Sequence, residues 1–542
     1  MALPLMHTLE RNASRDAALG GAYGNLRIHG LASNMNPALP WSTLAAALAT
    51  DDDSDKSKFG SFSSTCFYFG QGLSDRLAAA SGDGAAPPIG LVHTAYGGST
   101  IEQWLSNATT ATCDRAAASA SNQQWHDQRV LPYADMTLKG WVWYQVRTAG
   151  DGWCAAKPAA PSLYLLQRCA AAHSPRPPAR PPTAHRPRPH RRQGENDMHN
   201  FFGNSQLGTG YSCLMQKLVA EWRRLWSAEA GTTHPLAPFG LVTLAPSGGE
   251  GGKSIGTMRW AQTAGYGATP NAALPNVFSA QAYDLNDPNA NITCYGKTKC
   301  HDNSVVPPGG WPVAGCDEYC ASVRTTNFYM GPIHPRDKKP VGERLAQAAG
   351  AMVYSLGGSY ASGPTLSGCR ADDAAGGGGS KLTLTFNRTL LGADAIAVQP
   401  YYDGTAVVDG RAYTALGSKM EVLLNASLFC MQLGGGGCLD DGTGRAFNGS
   451  IDESKLWVTV DIAPGSAPNE VVVDLSRTNG TAFAIRYADN GDCCSNNPPS
   501  AKPCPPASCP IMGSASGLPA NPFVAHIVGG KCKCVAPQTC DE

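Results

Sequence analysis

Apolar residues in the first two thirds of the chain fall into short runs that alternate with helical patterns. Three of these runs predict buried strands, at Ile89–Ala95, Thr137–Tyr144 and Phe239–Leu244. Apolar residues recur at helical spacing in Leu214–Trp226 and Arg344–Tyr354, which predicts two amphipathic helices. Because strands that are apolar throughout occur in sheets covered on both faces, we expect a parallel sheet flanked by helices.

The pattern changes after the glycine run at 376–379. Short alternating or β-branched runs then predict strands at Lys381–Phe386, Ala395–Gln399, Lys455–Ile462, Glu470–Leu475 and Phe483–Tyr487. We therefore expect an α/β domain over residues 1–365 and a small β-sandwich-like domain over residues 380–490. A Cys- and Pro-rich segment at 491–542 is expected to pack back on the core.

One stretch, residues 146–193, does not fit its surroundings. It holds nine Lys or Arg, nine Pro and the single acid Asp151. It interrupts a predicted strand end, where Gln145 would otherwise be followed directly by Gly194 and Glu195. Three interpretations are open: a basic arm that binds nucleic acid, a disordered Pro-rich loop, or a retained intron translated in frame. The intron is favoured because so long a structureless loop is unusual inside a compact domain.

The charge balance bears on the class of protein. Formal net charge is zero over the 542 residues, but the stretch at 146–193 contributes +8, which leaves −8 for the rest. This balance argues against a nucleic-acid-binding protein. Since no apolar run reaches about 18 residues, no transmembrane helix is expected.

Cysteine usage indicates an oxidising compartment. Most of the 19 Cys lie in two groups, at 294–320 and 493–540, among Gly, Pro and Asn. This pattern predicts disulfides, and the lack of paired Cys-x-x-Cys spacings argues against zinc. Seven glycosylation sequons agree with secretion: Asn12, Asn107, Asn291, Asn387, Asn425, Asn448 and Asn479. We expect a secreted or lysosomal/vacuolar protein whose true start, with its signal peptide, lies upstream of Met1.

Polar residues and glycines mark three predicted strand ends. Residues 96–104 read Tyr-Gly-Gly-Ser-Thr-Ile-Glu-Gln-Trp, Trp143–Gln145 read Trp-Tyr-Gln before the insert, and residues 331–338 read Gly-Pro-Ile-His-Pro-Arg-Asp-Lys. Open α/β sheets place their sites at the carboxyl ends of strands. These segments resemble, in order, three motifs of the sialate O-acetylesterases, a family of SGNH-type hydrolases. The resemblance covers nearly the whole chain except the insert.

This resemblance implies an SGNH-hydrolase-like fold and removal of O-acetyl groups from sugars by a Ser–His mechanism, with no metal and no cofactor. In such a reaction a serine attacks the acetyl carbonyl, a histidine takes its proton, and fixed N–H donors stabilise the oxyanion. His334 is the expected general base. Gly97 or Gly98 would offer a backbone N–H to the oxyanion, and Gln145 would offer a side-chain N–H.

The group that orients His334 departs from the family pattern. Many SGNH enzymes carry an Asp three residues before the histidine, but here that position is Gly331. Either a backbone carbonyl or the carboxylate of Asp284 is expected to orient His334 instead. Glu195, beside Gly194, is expected to order its loop, because acyl transfer needs no second carboxylate.

The nucleophile departs further. The family's Gly-Gln-Ser-Asn-Met turn is absent from the chain, and residues 12–15 (Asn-Ala-Ser-Arg) already match the segment that follows that turn. We expect the serine to lie upstream of the present start. Ser33 is a weak substitute, because no Gly-Gln precedes it. The alternatives are an esterase of acetylated wall polysaccharide and an inactive carbohydrate-binding remnant.

Overall fold

The chain is described here from a computed structural model. It describes residues 3–8, 10–33, 37–49, 58–113, 121–145, 210–245, 255–285, 292–295, 299–302, 334–372, 380–399, 407–408, 411–412, 420–424, 457–478, 482–488 and 509–534. The insert at 146–193, the pair Gly194 and Glu195, and Gly331 lie outside these ranges.

Helices form where the apolar spacing predicts them, with shifted ends. Helices α1 to α8 span Arg11–Leu19, Leu44–Leu48, Ser64–Ala80, Asn107–Thr110, Gly210–Arg224, Ile255–Gln262, Lys339–Tyr354 and Arg388–Leu391. The α5 helix continues into a π-helical turn at Leu225–Glu229. The α7 helix begins earlier than predicted and carries Pro340 in its first turn, where a missing backbone N–H costs no hydrogen bond.

The α/β part contains two three-stranded sheets. Strands β1 to β6 span Leu26–Gly30, Leu39–Thr43, Ile89–His93, Trp141–Trp143, Phe239–Val242 and Val277–Ala280. One sheet has the order β2-β1-β3, in which β1 and β3 are parallel and β2 is antiparallel. The other has the order β4-β5-β6 and is parallel throughout. The predicted α/β character is confirmed, whereas the described strands form two sheets, and the SGNH arrangement stays a prediction.

Helices α3 and α7 pack against each other. A side chain at Gly342 of α7 would place its Cβ 2.4 Å from the Cβ of Tyr68, so the absence of a side chain permits this close approach. The α7 helix also packs on β5 and β6. Since α7 begins five residues after His334, this packing sets the direction of the chain at His334.

The remaining strands pair antiparallel, and all of them except β7 and β8 lie in the C-terminal part. Strands β7 to β21 span Ile292–Tyr295, Lys299–Asp302, Leu366–Ala371, Lys381–Phe386, Ile396–Val398, Val407–Val408, Arg411–Ala412, Met420–Leu423, Trp457–Thr459, Ile462–Pro464, Glu470–Asp474, Ala484–Tyr487, Ile511–Gly513, Phe523–Val528 and Lys531–Cys534. Nine of them form one sheet with the order β15-β14-β18-β20-β21-β9-β10-β17-β16. Each of the five predicted segments contains a strand. The domain boundaries stay predictions.

The C-terminal segment contacts the rest of the fold at several points. It supplies β19, β20 and β21, and a disulfide joins Cys532 of β21 to Cys369 of β9. The amide of Gln281, after β6, donates to the side-chain oxygen of Asn521 at 2.7 Å. The Tyr283 hydroxyl donates to the backbone carbonyl of Ala520 at 2.6 Å. These bonds hold the segment beside the carboxyl end of β6.

A buried ion pair joins α7 to the segment after β6. The Arg344 guanidinium donates to both carboxylate oxygens of Asp284 at 2.6 Å, and its Nη1 also donates to the carbonyl of Gln281 at 2.6 Å. Both side chains are buried, with 9% and 0% of their surface exposed. The bidentate geometry satisfies charges that would be costly to bury alone.

We expect Arg344→Met to destabilise the protein by about 3–5 kcal/mol, because the substitution leaves the Asp284 carboxylate buried without its counter-charge. The matched control is Lys339→Met on the same helix, which breaks the exposed 3.7 Å pair with Glu343 and should cost no more than about 0.5 kcal/mol. Urea unfolding at neutral pH, followed by tryptophan fluorescence, measures both. Equal costs for the two variants would show that the buried pair contributes no more than the surface pair.

Candidate active site

A cavity of about 560 Å³ lies along the neighbouring edges of the two α/β sheets. Every residue of β3 and of β4 lines it. The same wall includes Gly97, Gly98, Gln145 and His334, which come from three segments that are far apart in sequence. The structure therefore places the candidate general base and the candidate oxyanion donors along the wall of one cavity. Their catalytic roles stay predictions.

The turn after β3 has a fixed backbone. Gly98 has a φ of +78°, in the left-handed region that residues with a side chain rarely adopt. A capping box closes the start of the 3-10 helix Ile101–Trp104 that follows the turn. The indole N–H of Trp104 donates to the hydroxyl of Ser99 at 2.9 Å. These contacts hold the backbone around Gly98 in one conformation at the cavity wall.

Two hydrogen bonds orient the side-chain amide of Gln145. Its Nε2 donates to the carbonyl of Ser99 at 3.0 Å, and its Oε1 accepts from the Tyr211 hydroxyl at 2.7 Å. Gln145 and Tyr211 are both buried. Because a primary amide carries two N–H bonds, a second N–H remains that can donate a hydrogen bond to a substrate oxygen. Sequence reasoning missed Tyr211, which lies just before the predicted apolar helix and carries no motif.

The segment that carries His334 is anchored next to Gln145. His334 is buried, and Lys338, four residues later, has no exposed surface. The Lys338 ammonium donates to the carbonyl of Pro335 and lies 5.6 Å from the centre of the Tyr144 ring. This cation–π contact joins the His334 segment to the strand end that carries Gln145.

A pair of carboxyl groups ties the same segment to the start of α1. Burial, and then the neighbouring carboxylate of Asp337, raises the pKa of Glu10 to about 9. The raised pKa indicates that this pair of carboxyl groups shares one proton, through a hydrogen bond between Glu10 and Asp337. A protonated and an ionised carboxyl group attract each other, whereas two ionised groups would repel.

The remaining predicted residues are placed as follows. Asp284 is one of the two candidates for orienting His334, and both of its carboxylate oxygens accept hydrogen bonds from Arg344. Ser33 is partly buried in the loop after β1, and it is not one of the residues that line the cavity.

Two serines do line the cavity, within the part of the chain that is described. The hydroxyl of Ser63 accepts from the N–H of Cys66 at the start of α3, and that of Ser99 accepts from Trp104. Among the described residues, no group of three or more His, Cys, Asp or Glu could hold a metal ion. No helix there is long and apolar enough to cross a membrane.

Two buried basic side chains, His93 and Arg129, also line the cavity. Burial is the main cause that lowers the pKa of His93 to about 3, and the positive charge of Arg129 makes a smaller contribution. His93 is therefore neutral at neutral pH. Burial also lowers the pKa of Arg129, although the guanidinium stays charged at neutral pH.

The lowered pKa of His93 predicts that stability falls as the solution becomes acidic. Below about pH 6.5 the unfolded chain binds a proton that the folded chain does not bind until about pH 3. This group alone should therefore remove about 1.4 kcal/mol of stability per pH unit across that interval. We expect His93→Gln to have a shallower slope than the wild type when urea unfolding is compared at pH 6, 5 and 4. Exposed His234→Gln is the control, and a His93→Gln slope equal to that of the wild type would contradict the assignment.

We expect Tyr211→Phe to cost about 1–3 kcal/mol, because it leaves the buried Oε1 of Gln145 without the hydroxyl that donates to it. The matched control is Tyr360→Phe, at a partly exposed position outside the cavity wall, which should change stability by less than about 0.5 kcal/mol. Thermal and urea unfolding measure both variants. A Tyr211→Phe variant as stable as the control would show that the hydroxyl does not fix the amide.

Comparison with known proteins gives the same indication as the motifs. The chain is 23% identical over 539 residues to the sialate O-acetylesterase of Homo sapiens, covering 95% of this chain and 71% of that protein. It is 23% identical over 537 residues to that of Pongo abelii, with the same coverage. Identity to the sialate O-acetylesterase of Rattus norvegicus is 23% over 560 residues, covering 95% and 74%. No family model matches the chain. Its resemblance to the sialate O-acetylesterases, indicated by three strand-end motifs, is confirmed along almost its whole length.

Proposed function

We propose that this chain is a carbohydrate esterase that removes O-acetyl groups from sugars by Ser–His hydrolysis. The observation that carries the proposal is the convergence of Gly97, Gly98, Gln145 and His334 on one cavity. Hydrolysis of an acetyl ester needs a base and fixed N–H donors close together, and these residues supply both types of group. The similarity to proteins named sialate O-acetylesterase supports the same reaction class.

The proposed reaction proceeds by two acyl transfers. A serine hydroxyl attacks the acetyl carbonyl carbon while His334 accepts its proton, and the oxyanion is bound by the backbone N–H of Gly97 or Gly98 and by the amide of Gln145. The sugar oxygen then leaves with the proton from His334, which gives an acetyl-serine. Water, deprotonated by His334, then attacks that ester; the bond to the serine oxygen breaks, the serine oxygen takes the proton from His334, and acetate is released. A backbone carbonyl or Asp284 keeps the imidazole in the orientation that these transfers need.

The aromatic and polar side chains at the cavity suit a sugar. Trp41, with 49% of its surface exposed, lines the cavity, and its ring stacks on that of His29 with centroids 5.3 Å apart. His29 is hydrogen-bonded to the Tyr133 hydroxyl at 2.9 Å. A fixed, exposed indole beside polar groups is a typical feature of small-molecule sites. An O-acetylated sialic acid is the substrate that the similar proteins suggest, and an acetylated wall polysaccharide is the alternative.

A carbohydrate-binding protein without catalysis is the second candidate. It is favoured by the described cavity wall, where the hydroxyls of Ser63 and Ser99 each accept a hydrogen bond from another group and neither serine follows a Gly-Gln pair. Such a protein would keep the cavity and its polar wall but would release no acetate.

We also propose a secreted or lysosomal/vacuolar location. The disulfides Cys113–Cys213 and Cys369–Cys532 support it, because disulfides persist in oxidising compartments.

Acetate release from an O-acetylated sugar tests the proposal. We expect His334→Ala to lower kcat/KM at least about a hundredfold, because the serine loses its proton acceptor. Exposed His234→Ala is the matched control and should retain the wild-type rate. Equal rates for His334→Ala and the wild type would remove His334 from the mechanism.

The same assay identifies the nucleophile. If the chain releases acetate, loss of activity in Ser33→Ala would identify Ser33 as the nucleophile, and retained activity would exclude it. Binding of the acetylated sugar without acetate release would contradict the esterase and favour the binding protein.

A further inference from the structure

Arg129 lies at the wall of the candidate active site and has no part in the reaction proposed above. It belongs to a π-helical turn at His126–Val130, and 8% of its surface is exposed. It lines the same cavity as Gln145 and His334. A guanidinium at the wall of a cavity of this size can pair with a negatively charged group of a ligand.

The guanidinium of Arg129 is held in place by neutral groups. Its Nη1 donates to the carbonyl of Thr94 at 3.0 Å, and its Nη2 donates to the carbonyl of Ala32. Its carbon lies 5.0 Å from the ring centre of Tyr96 and 5.1 Å from that of Trp125. Those two rings stack with centroids 4.0 Å apart. The contacts fix the guanidinium plane between the ends of β1 and β3, directly beside the turn that carries Gly97 and Gly98.

These contacts leave part of the guanidinium unused. It carries five N–H bonds, and the hydrogen bonds found in the described ranges use one each on Nη1 and Nη2. The buried Nε has no hydrogen-bond partner there. The buried Nε is not accessible from the cavity, so the donors left for a ligand are the second N–H of Nη1 and the second N–H of Nη2.

The positive charge of Arg129 is also not balanced within the described part of the chain. No carboxylate there lies within ion-pair distance of it, in contrast to Arg344 with its Asp284. The nearby His93 is kept neutral by burial and by this same charge. A buried cation without a counter-ion is costly, so an anion that enters the cavity gains an unusually strong interaction. The planar fork suits a carboxylate in particular.

We infer that Arg129 binds the carboxylate of an acidic O-acetylated sugar and thereby selects acidic over neutral sugars. This inference rests on the proposed function. The guanidinium stacks on Tyr96, the residue before Gly97, so the carboxylate site and the oxyanion donors are neighbours. One sugar that carries both a carboxylate and an acetyl ester meets both sites. A neutral wall polysaccharide would leave the Arg129 charge unmatched.

The test compares a free sialic acid with its carboxyl methyl ester, using the full chain and titration calorimetry. We expect the acid to bind about tenfold more tightly or better, since a charge-assisted hydrogen bond is replaced by a neutral one in the ester. Arg129→Met keeps the length of the side chain and should bind both ligands with the same affinity. Arg129→Lys keeps the charge without the fork and should show a reduced preference.

Arg76→Met is the matched control. Arg76 is also partly buried and donates to Ser359 and Gln347, but it lies outside the cavity wall, so the preference for the acid should remain. Circular dichroism and thermal unfolding show whether each variant is folded. If Arg129→Met does not fold, the wild-type comparison of acid with ester decides by itself. Equal affinity of the wild type for both ligands overturns the inference.

Acetate release separates this inference from the proposed function. Equal kcat/KM for acidic and neutral acetylated sugars would retain the esterase and overturn the role of Arg129. A preference for the acid in binding, without acetate release from any sugar, would retain the role of Arg129 and contradict the esterase.

Discussion

The buried ion pair between Arg344 and Asp284 is the interaction on which the geometry of the site depends. It joins α7 to the carboxyl end of β6, and α7 begins five residues after His334. Packing against α3, β5 and β6 sets the direction of α7, and the ion pair adds a contact of defined geometry. A bidentate pair that must stay together to avoid an unpaired buried charge permits only one register. The position of His334 therefore depends on Arg344, which has no role in the proposed reaction.

The same logic holds for the other site groups, each of which is held by a contact outside the proposed reaction. Tyr211 orients the amide of Gln145, and Lys338 joins the His334 segment to Tyr144. Such supporting contacts matter because catalysis by fixed donors requires that they do not reorganise during the reaction. In the described part of the chain, the cavity wall combines these fixed donors with the Arg129 guanidinium, whose hydrogen bonds go to neutral carbonyls. Its positive charge favours a negatively charged group beside these donors.

Sequence patterns located most of the regular structure and the motifs of the site, but not the way the strands associate. Apolar runs identified β3, β4 and β5 because a buried strand must be apolar whichever strand it pairs with. They gave no indication that β2 pairs antiparallel with β1 or that the described strands form two sheets, since pairing depends on residues distant in sequence. The π-helical turn after α5 was also missed, because its residues continue the helical spacing.

The sequence by itself determined the classes of chemistry available: a histidine in a Pro-Arg-Asp-Lys setting, a Gly-Gly turn, and a glutamine at a strand end, all in the order seen in one esterase family. It determined these because side-chain chemistry and local backbone freedom are properties of single residues and their neighbours. Only the tertiary structure decided that these segments line one cavity, that Asp284 is bound by Arg344, and that Arg129 has neutral neighbours. Distances and charge balance are set by packing between segments far apart in the chain, and no local pattern contains them.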